Sequence, residues 1–195
     1  DRDGIIDEYK TICDSYGFSG NYHEYSFGPI YKHPHFYATL STPRRTRKPS
    51  HLDRGSAIQI DTNGNFKILA RGFRTPNGIG FGIDSLIYIN DNQGEWLPAS
   101  KMLILKEGAF YGYRGVDFMG TIDYETEPAV ILMPHYEAGN SPSQMLIMQD
   151  GPYKGQMIHG DVTHGGIKRV YLEKIDSVYQ GCIFNFTQGL EGGVN

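Results

Sequence analysis

Two short polar segments carry the residue types that could do chemistry. The first places His23 next to Glu24, in the segment formed by residues 21–25. An imidazole with an ordinary pKa of about 6.5 accepts a proton near neutral pH, and an adjacent carboxylate can orient it or raise that pKa. From residue type alone, a histidine at a strand start is more often bonded to a backbone carbonyl, so both interpretations stay open.

The second segment joins an arginine turn to a polar strand end. Residues 74–78, Arg-Thr-Pro-Asn-Gly, lead into an apolar strand that runs directly into residues 91–96, Asp-Asn-Gln-Gly-Glu-Trp. Asp, Asn, Gln and Gly at a strand end favour a tight turn that directs carbonyl and amide groups at one point. Spacing alone favours a structural role, a well-capped turn over Trp96, which we expect to be buried between sheets.

Short strands must position these segments. Apolar runs of mostly four to six residues recur between Gly, Pro, Asn and Asp, which is typical of strands. Residues 56–70 predict the clearest hairpin, turned at Asn63-Gly64. Only residues 5–16 and 97–107 have a pattern compatible with a short helix. About eleven strands without intervening helices indicate a sandwich, a barrel or a propeller. The predicted strands are residues 36–40, 57–60, 66–70, 79–81, 86–89, 102–105, 130–133, 144–148, 156–159, 167–172 and 182–186.

Composition and charge further limit the classes of protein to which the chain can belong. The 195 residues include 25 glycines and 14 tyrosines, which indicates many turns and aromatic-rich strands. A net charge of −4 gives no reason to expect nucleic acid, and no apolar run is long enough to span a bilayer. A disulfide between Cys13 and Cys182 would close a very long loop. A buried free thiol is the commoner outcome for the apolar surroundings of Cys182.

Together these segments resemble the six-bladed β-propeller family of glucose/sorbosone dehydrogenases, which is similar to soluble quinoprotein dehydrogenases that bind pyrroloquinoline quinone (PQQ) and calcium. The C-terminal segments resemble a bacterial subgroup of large secreted proteins, in which the propeller is often joined to cytochrome c-like modules. The resemblance rests on residues 21–29, 74–78, 91–98 and 110–112, and in the C-terminal part on residues 155–162, 169–173 and 179–181.

This resemblance implies an all-β fold with about three four-stranded propeller blades in residues 1–195, and a periplasmic or extracellular location. A six-bladed ring needs about twice as many strands. We therefore expect a partial propeller domain that packs against remaining blades of a longer chain or against a neighbouring subunit.

The resemblance also assigns roles to individual residues. His23 corresponds to the general base that takes a proton from the sugar hydroxyl, with Glu24 as its nearest carboxylate in sequence. Arg74 corresponds to an arginine that pairs with the carboxylates of PQQ, next to Thr75, where the enzymes commonly have Asn. We expect His23, Arg74 and the 91–96 turn to converge at one end of the propeller axis.

The family's calcium is held partly by backbone carbonyls in the loop that corresponds to residues 92–98. Oxygen atoms of Gln93, Gly94 and Glu95 suit a hard cation in that position. Other candidate metal ligands have simpler interpretations. The segment His33-Pro34-His35 is interpreted as a strand-connecting turn, and the histidines that flank Asp161 lack an evident third partner.

One departure from the family keeps a second function open. After the strand at residues 36–40 the enzymes present Gly-Asp, whereas this chain has Ser41-Thr42-Pro43 and then a basic run, residues 44–48. That run is either a solvated loop tip or a contact for an acidic partner such as a sulfated or uronic polysaccharide. The chain is therefore either a sugar or alcohol dehydrogenase that delivers electrons to a cytochrome c, or a non-catalytic binding or scaffold propeller.

Overall fold

The computed structural model describes residues 5–94, 97–190 and 192–194. Short β-strands make up nearly all of its regular structure. In chain order they are β1 (Ser26–Lys32), β2 (His35–Leu40), β3 (Ser56–Ile60), β4 (Phe66–Arg71), β5 (Gly78–Phe81), β6 (Ile87–Asp91), β7 (Ala99–Ile104), β8 (Ile131–Pro134), β9 (Pro142–Ile147), β10 (Met157–Asp161), β11 (Ile167–Ile175) and β12 (Val178–Thr187). Two single-turn 3-10 helices, Ile83–Ser85 and Met119–Thr121, lie between strands. Over the described ranges, no helix has the length and apolarity needed to cross a membrane.

The strands form three four-stranded antiparallel sheets, each built from consecutive strands in chain order. Blade 1 is β1–β4, blade 2 is β5–β8 and blade 3 is β9–β12. The first strands of successive blades contact each other, β1 with β5 and β5 with β9, as the innermost strands of a propeller do. The predicted fold class, an all-β partial propeller with three four-stranded blades, is confirmed.

Apolar side chains fill the spaces between blades. Neighbouring residues of β6 point to opposite faces of the sheet, so Ile89 packs in the core shared with blade 1 and Tyr88 in the core shared with blade 3. The core between blades 1 and 2 contains Ala57, Ala70, Phe73, Ile79, Ile89, Leu103 and Tyr111. The core between blades 2 and 3 contains Tyr88, Met102, Ile131, Met133, Met145, Met157, Val170 and Leu172.

The predicted hairpin over residues 56–70 is confirmed, with a longer connection than expected. Five residues separate β3 from β4, and Gly64 in this connection has φ +88°. The Asp61 carboxylate accepts the backbone N–H groups of Asn63 and Asn65 and the side-chain amide of Asn65. These hydrogen bonds, led by the one from the Asn65 side chain, lower the pKa of Asp61. The side chain therefore organises the wider turn.

The prediction of strands and helices from the sequence was wrong at two places. Strand β1 was missed because Gly28-Pro29 interrupts it, and the pairing with β2 shifts register between Phe27 and Ile30. The suggested helix over residues 97–107 is wrong, since this range contains β7, and no helix forms over residues 5–16. Five of the six β7 residues are buried, so the strand shows no alternation to distinguish it from a buried helix.

Three smaller predictions from the sequence can be compared with the structure. Cys13 and Cys182 are free, but the expected burial of Cys182 is wrong because β12 is the outermost strand of its blade and Cys182 is exposed. The segment around Pro34 is a strand-connecting turn, as predicted, between β1 and β2. Trp96 lies outside the described residues.

Replacing Leu103 with Ala tests the core between blades 1 and 2. Leu103 is 1% exposed and packs in that core, so the variant should lose about 2–5 kcal/mol of unfolding free energy. Leu132→Ala on the adjacent strand is the control, because Leu132 is 53% exposed and its loss should stay within about 0.5 kcal/mol. Urea unfolding of the full-length protein measures both, and equal losses would contradict this assignment of the core.

Candidate functional site

Loops from all three blades meet at one end of the structure. The first two strands of each blade pair so that the start of the first lies beside the end of the second, as in Ser26 with Leu40 and Gly78 with Asn90. Loops that enter a first strand therefore lie next to loops that leave a second strand. We call this end the loop face. It comprises residues 19–25, 41–55, 72–77, 92–94, 135–141 and 162–166.

A buried carboxylate fixes the arginine turn on the loop face. The Asp91 side chain is fully buried and accepts the backbone N–H of Thr75 at 2.8 Å and of Arg74 at 3.2 Å. Lys101 Nζ lies 3.2 Å from Asp91 Oδ2 and also donates to the carbonyl of Tyr111. Burial raises the pKa of Asp91, and Lys101 and the backbone N–H groups oppose that rise. The predicted cofactor residues Arg74 and Thr75 thus sit on a turn held from inside blade 2.

The loop after β2 connects the two predicted chemical segments. The Ser41 hydroxyl donates to the carbonyl of His23 at 2.5 Å. The next residue, Thr42, donates both its backbone N–H, at 2.9 Å, and its hydroxyl, at 3.0 Å, to the carbonyl of Arg74. Consecutive residues therefore hold the backbones of His23 and Arg74 at the same end of the propeller. Ser41 and Thr42 stand where the resembling enzymes have Gly-Asp, and both serve as braces.

His23 presents a neutral imidazole on the loop face. Its Nδ1 is buried and has no hydrogen-bond partner among the residues that the structure describes. The ring of Tyr22 lies against it, with 3.9 Å between ring centroids. Burial lowers the pKa of His23, and the positive charges of Arg44 and Arg45 lower it further. A histidine that is neutral at pH 7 can accept a proton.

Asn21 ties His23 to the basic run. Its side-chain Oδ1 accepts the backbone N–H of His23 at 3.0 Å and that of Arg44 at 3.3 Å. Its Nδ2 donates to the carbonyl of Arg44 at 2.9 Å. A single side-chain amide therefore holds the predicted base and the start of the basic run next to each other.

The Glu24 carboxylate is directed at the backbone of its own loop. Its Oε2 accepts the backbone N–H groups of Ser19 at 2.9 Å and Asn21 at 3.1 Å. Its Oε1 lies 4.0 Å from Nε of Arg54, and the side chain is buried. Within the described ranges no hydrogen bond joins Glu24 to the imidazole of His23. The carboxylate shapes the loop that carries His23, and its predicted action on the ring itself stays a prediction.

Arg54 is a part of the site that sequence reasoning missed. The residue is 2% exposed, and its guanidinium donates to the carbonyls of Ser41 at 2.8 Å and Tyr25 at 2.6 Å. Burial lowers its pKa, and Glu24 opposes this shift. The only sequence signal is an arginine next to a glycine at the start of the apolar β3 segment. That signal does not distinguish Arg54 from the arginines of the preceding run, residues 44–48.

The predicted calcium loop is only partly described. The backbone N–H of Gln93 is bonded to Oδ1 of Asn92, and its side-chain oxygen faces the Ser100 hydroxyl at 3.3 Å. The backbone N–H of Gly94 is used within the loop, and Glu95 lies outside the described residues. In the described part of the chain, no group of three or more His, Cys, Asp or Glu side chains could hold a metal ion. Protein ligands for calcium here would therefore be mainly backbone carbonyls.

Blade 3 repeats the buried carboxylate. Asp161, at the end of β10, accepts the backbone N–H groups of Asn140, Thr163 and His164 at 2.9–3.0 Å. Burial lowers the pKa of His159, whose Nδ1 bonds the adjacent carbonyl of residue 160 at 2.8 Å. His164 is therefore part of a loop that Asp161 holds in place, whereas His159 is a buried residue of β10.

Comparisons with known proteins identify solved structures with a similar fold. No family model matches the sequence, and no curated protein matches it. Among solved structures, the proposed glucose dehydrogenase of Thermus thermophilus is 12% identical, with a TM-score of 0.62 over 80% of this chain and 50% of that chain. The soluble aldose sugar dehydrogenase of Escherichia coli, in the apo form, is 11% identical, with a TM-score of 0.56 over 85% of this chain and 53% of that chain.

A third similar structure is the PQQ-bound form of aldose sugar dehydrogenase from Streptomyces coelicolor. It is 13% identical, with a TM-score of 0.55 over 76% of this chain and 45% of that chain. The chain therefore has the fold of part of these sugar dehydrogenases and spans about half of their length.

The pair formed by Asp91 and Lys101 should be strongly coupled. Asp91→Asn leaves the Lys101 charge buried without its carboxylate, and Lys101→Met has the converse effect, so each should cost about 3–5 kcal/mol of unfolding free energy. The double variant should lose clearly less than the sum of the two. Denaturant unfolding of the wild type and the three variants measures these losses of unfolding free energy. Lys67→Gln, in an exposed ion pair with Glu107, is the control and should change stability by less than about 1 kcal/mol. Additive losses at Asp91 and Lys101 would contradict the coupling.

The pKa of His23 should respond to its two neighbouring arginines. It should lie below the ordinary value of about 6.5 and should rise toward that value in the double variant Arg44→Gln/Arg45→Gln, because two positive charges no longer oppose protonation. NMR titration of the histidine ring protons measures both values. An unchanged pKa in the double variant would show that burial alone sets it.

Proposed function

We propose that this domain is the part of a PQQ-dependent sugar dehydrogenase that carries the proton acceptor and an arginine for the cofactor. The enzyme would oxidise a sugar or polyol hydroxyl in the periplasm or outside the cell and pass the electrons to a cytochrome c. One observation carries the proposal. Ser41 and Thr42 hold the backbones of His23 and Arg74 together on the loop face, on a fold shared with sugar dehydrogenases.

His23 would act as the general base. A lowered pKa keeps its imidazole unprotonated at pH 7, so that it can take the hydroxyl proton as the carbon is oxidised. The buried Nδ1 without a partner in the described structure supports this role, since a bound ligand would supply the missing hydrogen bond. Tyr22 limits the orientation of the ring by packing against it.

Arg74 and Thr75 would hold PQQ. The rigid guanidinium fork suits the carboxylates of PQQ, and the buried Asp91 fixes the backbone from which the arginine extends. The backbone N–H of Thr75 is already bonded to Asp91, so its hydroxyl is the group that it can offer. When bound, PQQ supplies the hydride acceptor.

Calcium is the second proposed cofactor. The carbonyl oxygens of Gln93 and Gly94, together with Glu95, would form the protein part of its site. An all-oxygen donor set is what a hard cation prefers. A calcium ion there would supply positive charge beside the cofactor.

A specific observation favours the second function, a non-catalytic binding or scaffold propeller. Glu24 is committed to backbone N–H groups and Arg54, and Ser41-Thr42 replaces the family's Gly-Asp. Within the described residues, no carboxylate is therefore seen to orient the imidazole of His23. The two functions differ in whether the protein binds and reduces PQQ.

Titration of the full-length protein with PQQ and calcium tests the proposal. We expect saturable changes in PQQ absorbance, and reduction of the cofactor on addition of a sugar. A protein that binds no PQQ under these conditions would instead be the scaffold.

Substitutions then separate the two proposed roles. His23→Gln should lower kcat by about 10²–10⁴-fold with PQQ affinity retained, because only the proton acceptor is lost. Arg74→Gln should weaken PQQ binding. His33→Gln is the control, since His33 lies in the turn between β1 and β2, away from the loop face. In the wild type, kcat/KM should fall on acidification through a pKa below about 6.5, since protonated His23 cannot act as base.

A further inference from the structure

A buried histidine between blades 2 and 3 has a ring nitrogen with no partner. His159 lies on β10 and is 3% exposed, and its Nδ1 is 2.8 Å from the backbone carbonyl of Gly160. A carbonyl oxygen only accepts hydrogen bonds, so Nδ1 carries the proton and Nε2 is the unprotonated nitrogen of the neutral ring. Nε2 is buried, and among the described residues no hydrogen-bond donor reaches it.

Methionine side chains flank this nitrogen. His159 and Met145 lie directly opposite each other in the pairing of β9 with β10, so both side chains project from the face of blade 3 that packs on blade 2. Met157 precedes His159 by two residues on β10 and projects from the same face. A thioether has no proton to donate, so neither methionine can satisfy Nε2 as a hydrogen-bond donor.

Methionine is concentrated in this core. Four of the six methionines of the chain belong to it, and each is at most 1% exposed. In the part of the chain that the structure describes, the two other hydrophobic cores contain none and are filled mainly by aliphatic and aromatic side chains. Packing between blades of this fold therefore does not require thioethers. The four residues are Met102, Met133, Met145 and Met157.

Glycines of blade 2 leave room for two of the sulfur atoms. A Cβ atom at Gly80 would lie 2.9 Å from Sδ of Met145, and one at Gly82 would lie 2.6 Å from Sδ of Met157. Both sulfur atoms therefore lie in the interface between the blades, on the side of the sheet from which the imidazole of His159 projects. A methionine side chain has three rotatable bonds, so its sulfur can be redirected at little cost.

We propose that Nε2 of His159 and the thioethers of Met145 and Met157 form a binding site for Cu(I). Thioether sulfur selects this soft monovalent cation, and imidazole nitrogen binds copper as well. The hydrogen bond from Nδ1 to a backbone carbonyl is the second contact that metal-binding histidines usually make. The site lies away from His23 and Arg74, so it does not depend on the proposed dehydrogenase reaction.

Titration of the full-length protein with Cu(I) tests the site. The free thiols of Cys13 and Cys182 also bind Cu(I), so the measurement uses the variant Cys13→Ser/Cys182→Ser. Under anaerobic reducing conditions, with bicinchoninate as the competing chelator, this variant should bind about one Cu(I) per chain, and about a tenfold excess of Zn(II) should not displace it. A variant that binds no Cu(I), or that releases it to Zn(II), would overturn the proposal. In the first case Nε2 is the acceptor for a buried water molecule.

Substitutions that keep the core filled identify the ligands. In the same background, Met145→Leu/Met157→Leu replaces thioethers with side chains of similar volume, so the fold should be retained while the Kd for Cu(I) rises about tenfold or more. His159→Gln should raise the Kd at least as much. Met119→Leu is the control, because Met119 is 75% exposed and outside this core, and its Kd should change less than about twofold. An unchanged Kd in the core variants would overturn the site.

The tautomer of His159 provides a measurement that does not need a variant of the core. Long-range nitrogen–proton NMR spectra of the metal-free protein should show the ring proton on Nδ1, and Cu(I) should shift the Nε2 signal of His159. A proton on Nε2 in the metal-free protein would remove the free lone pair and overturn the proposal. Binding of Cu(I) with no change at His159 would assign the metal to another place and would overturn it as well.

Discussion

The buried carboxylate of Asp91 is the interaction on which the loop face depends. Removing an ion from water costs several kcal/mol, and that cost is offset only by good geometry and further hydrogen bonds. Here Lys101 supplies the opposite charge, and the N–H groups of Arg74 and Thr75 fill the remaining acceptor positions. The arginine turn is therefore part of what makes the buried charge tolerable. Its conformation is coupled to the stability of blade 2.

In each blade, the residue at the end of the second strand holds the loop that enters the first strand, although the residue type differs. The residue that ends or follows the second strand is Ser41 in blade 1, Asp91 in blade 2 and Asp161 in blade 3. Each one bonds the backbone of the loop that enters the first strand of its own blade. A serine donates to carbonyls, whereas an aspartate accepts from N–H groups. The blades therefore share a position that holds the entering loop, although the residue at that position differs.

Sequence alone could predict most of the strands, the hairpin at residues 56–70 and the position of His23 and Arg74 in loops at the same end of the propeller, because local patterns and shared strand ends determine them. It could not predict the partner of Glu24. His23 lies in a turn that is closed by a hydrogen bond from the Glu24 N–H to the Asn21 carbonyl, and the Glu24 carboxylate folds back onto the N–H groups of the same loop. Its real neighbour, Arg54, is thirty residues away and is brought close only when β2 and β3 pair. Long-range pairing of this kind leaves no local signal.

Net charge is a poor guide to this site. The chain carries a net charge of −4, yet important carboxylates on the loop face are turned inward. Glu24 and Asp91 are buried against basic groups, and Asp161 is occupied by backbone N–H groups. Their charges hold loops in place, while the guanidinium of Arg45 stays exposed. Arg44 and Arg45 lower the pKa of His23, so positive charge near the proposed base coexists with a net negative charge of the whole chain.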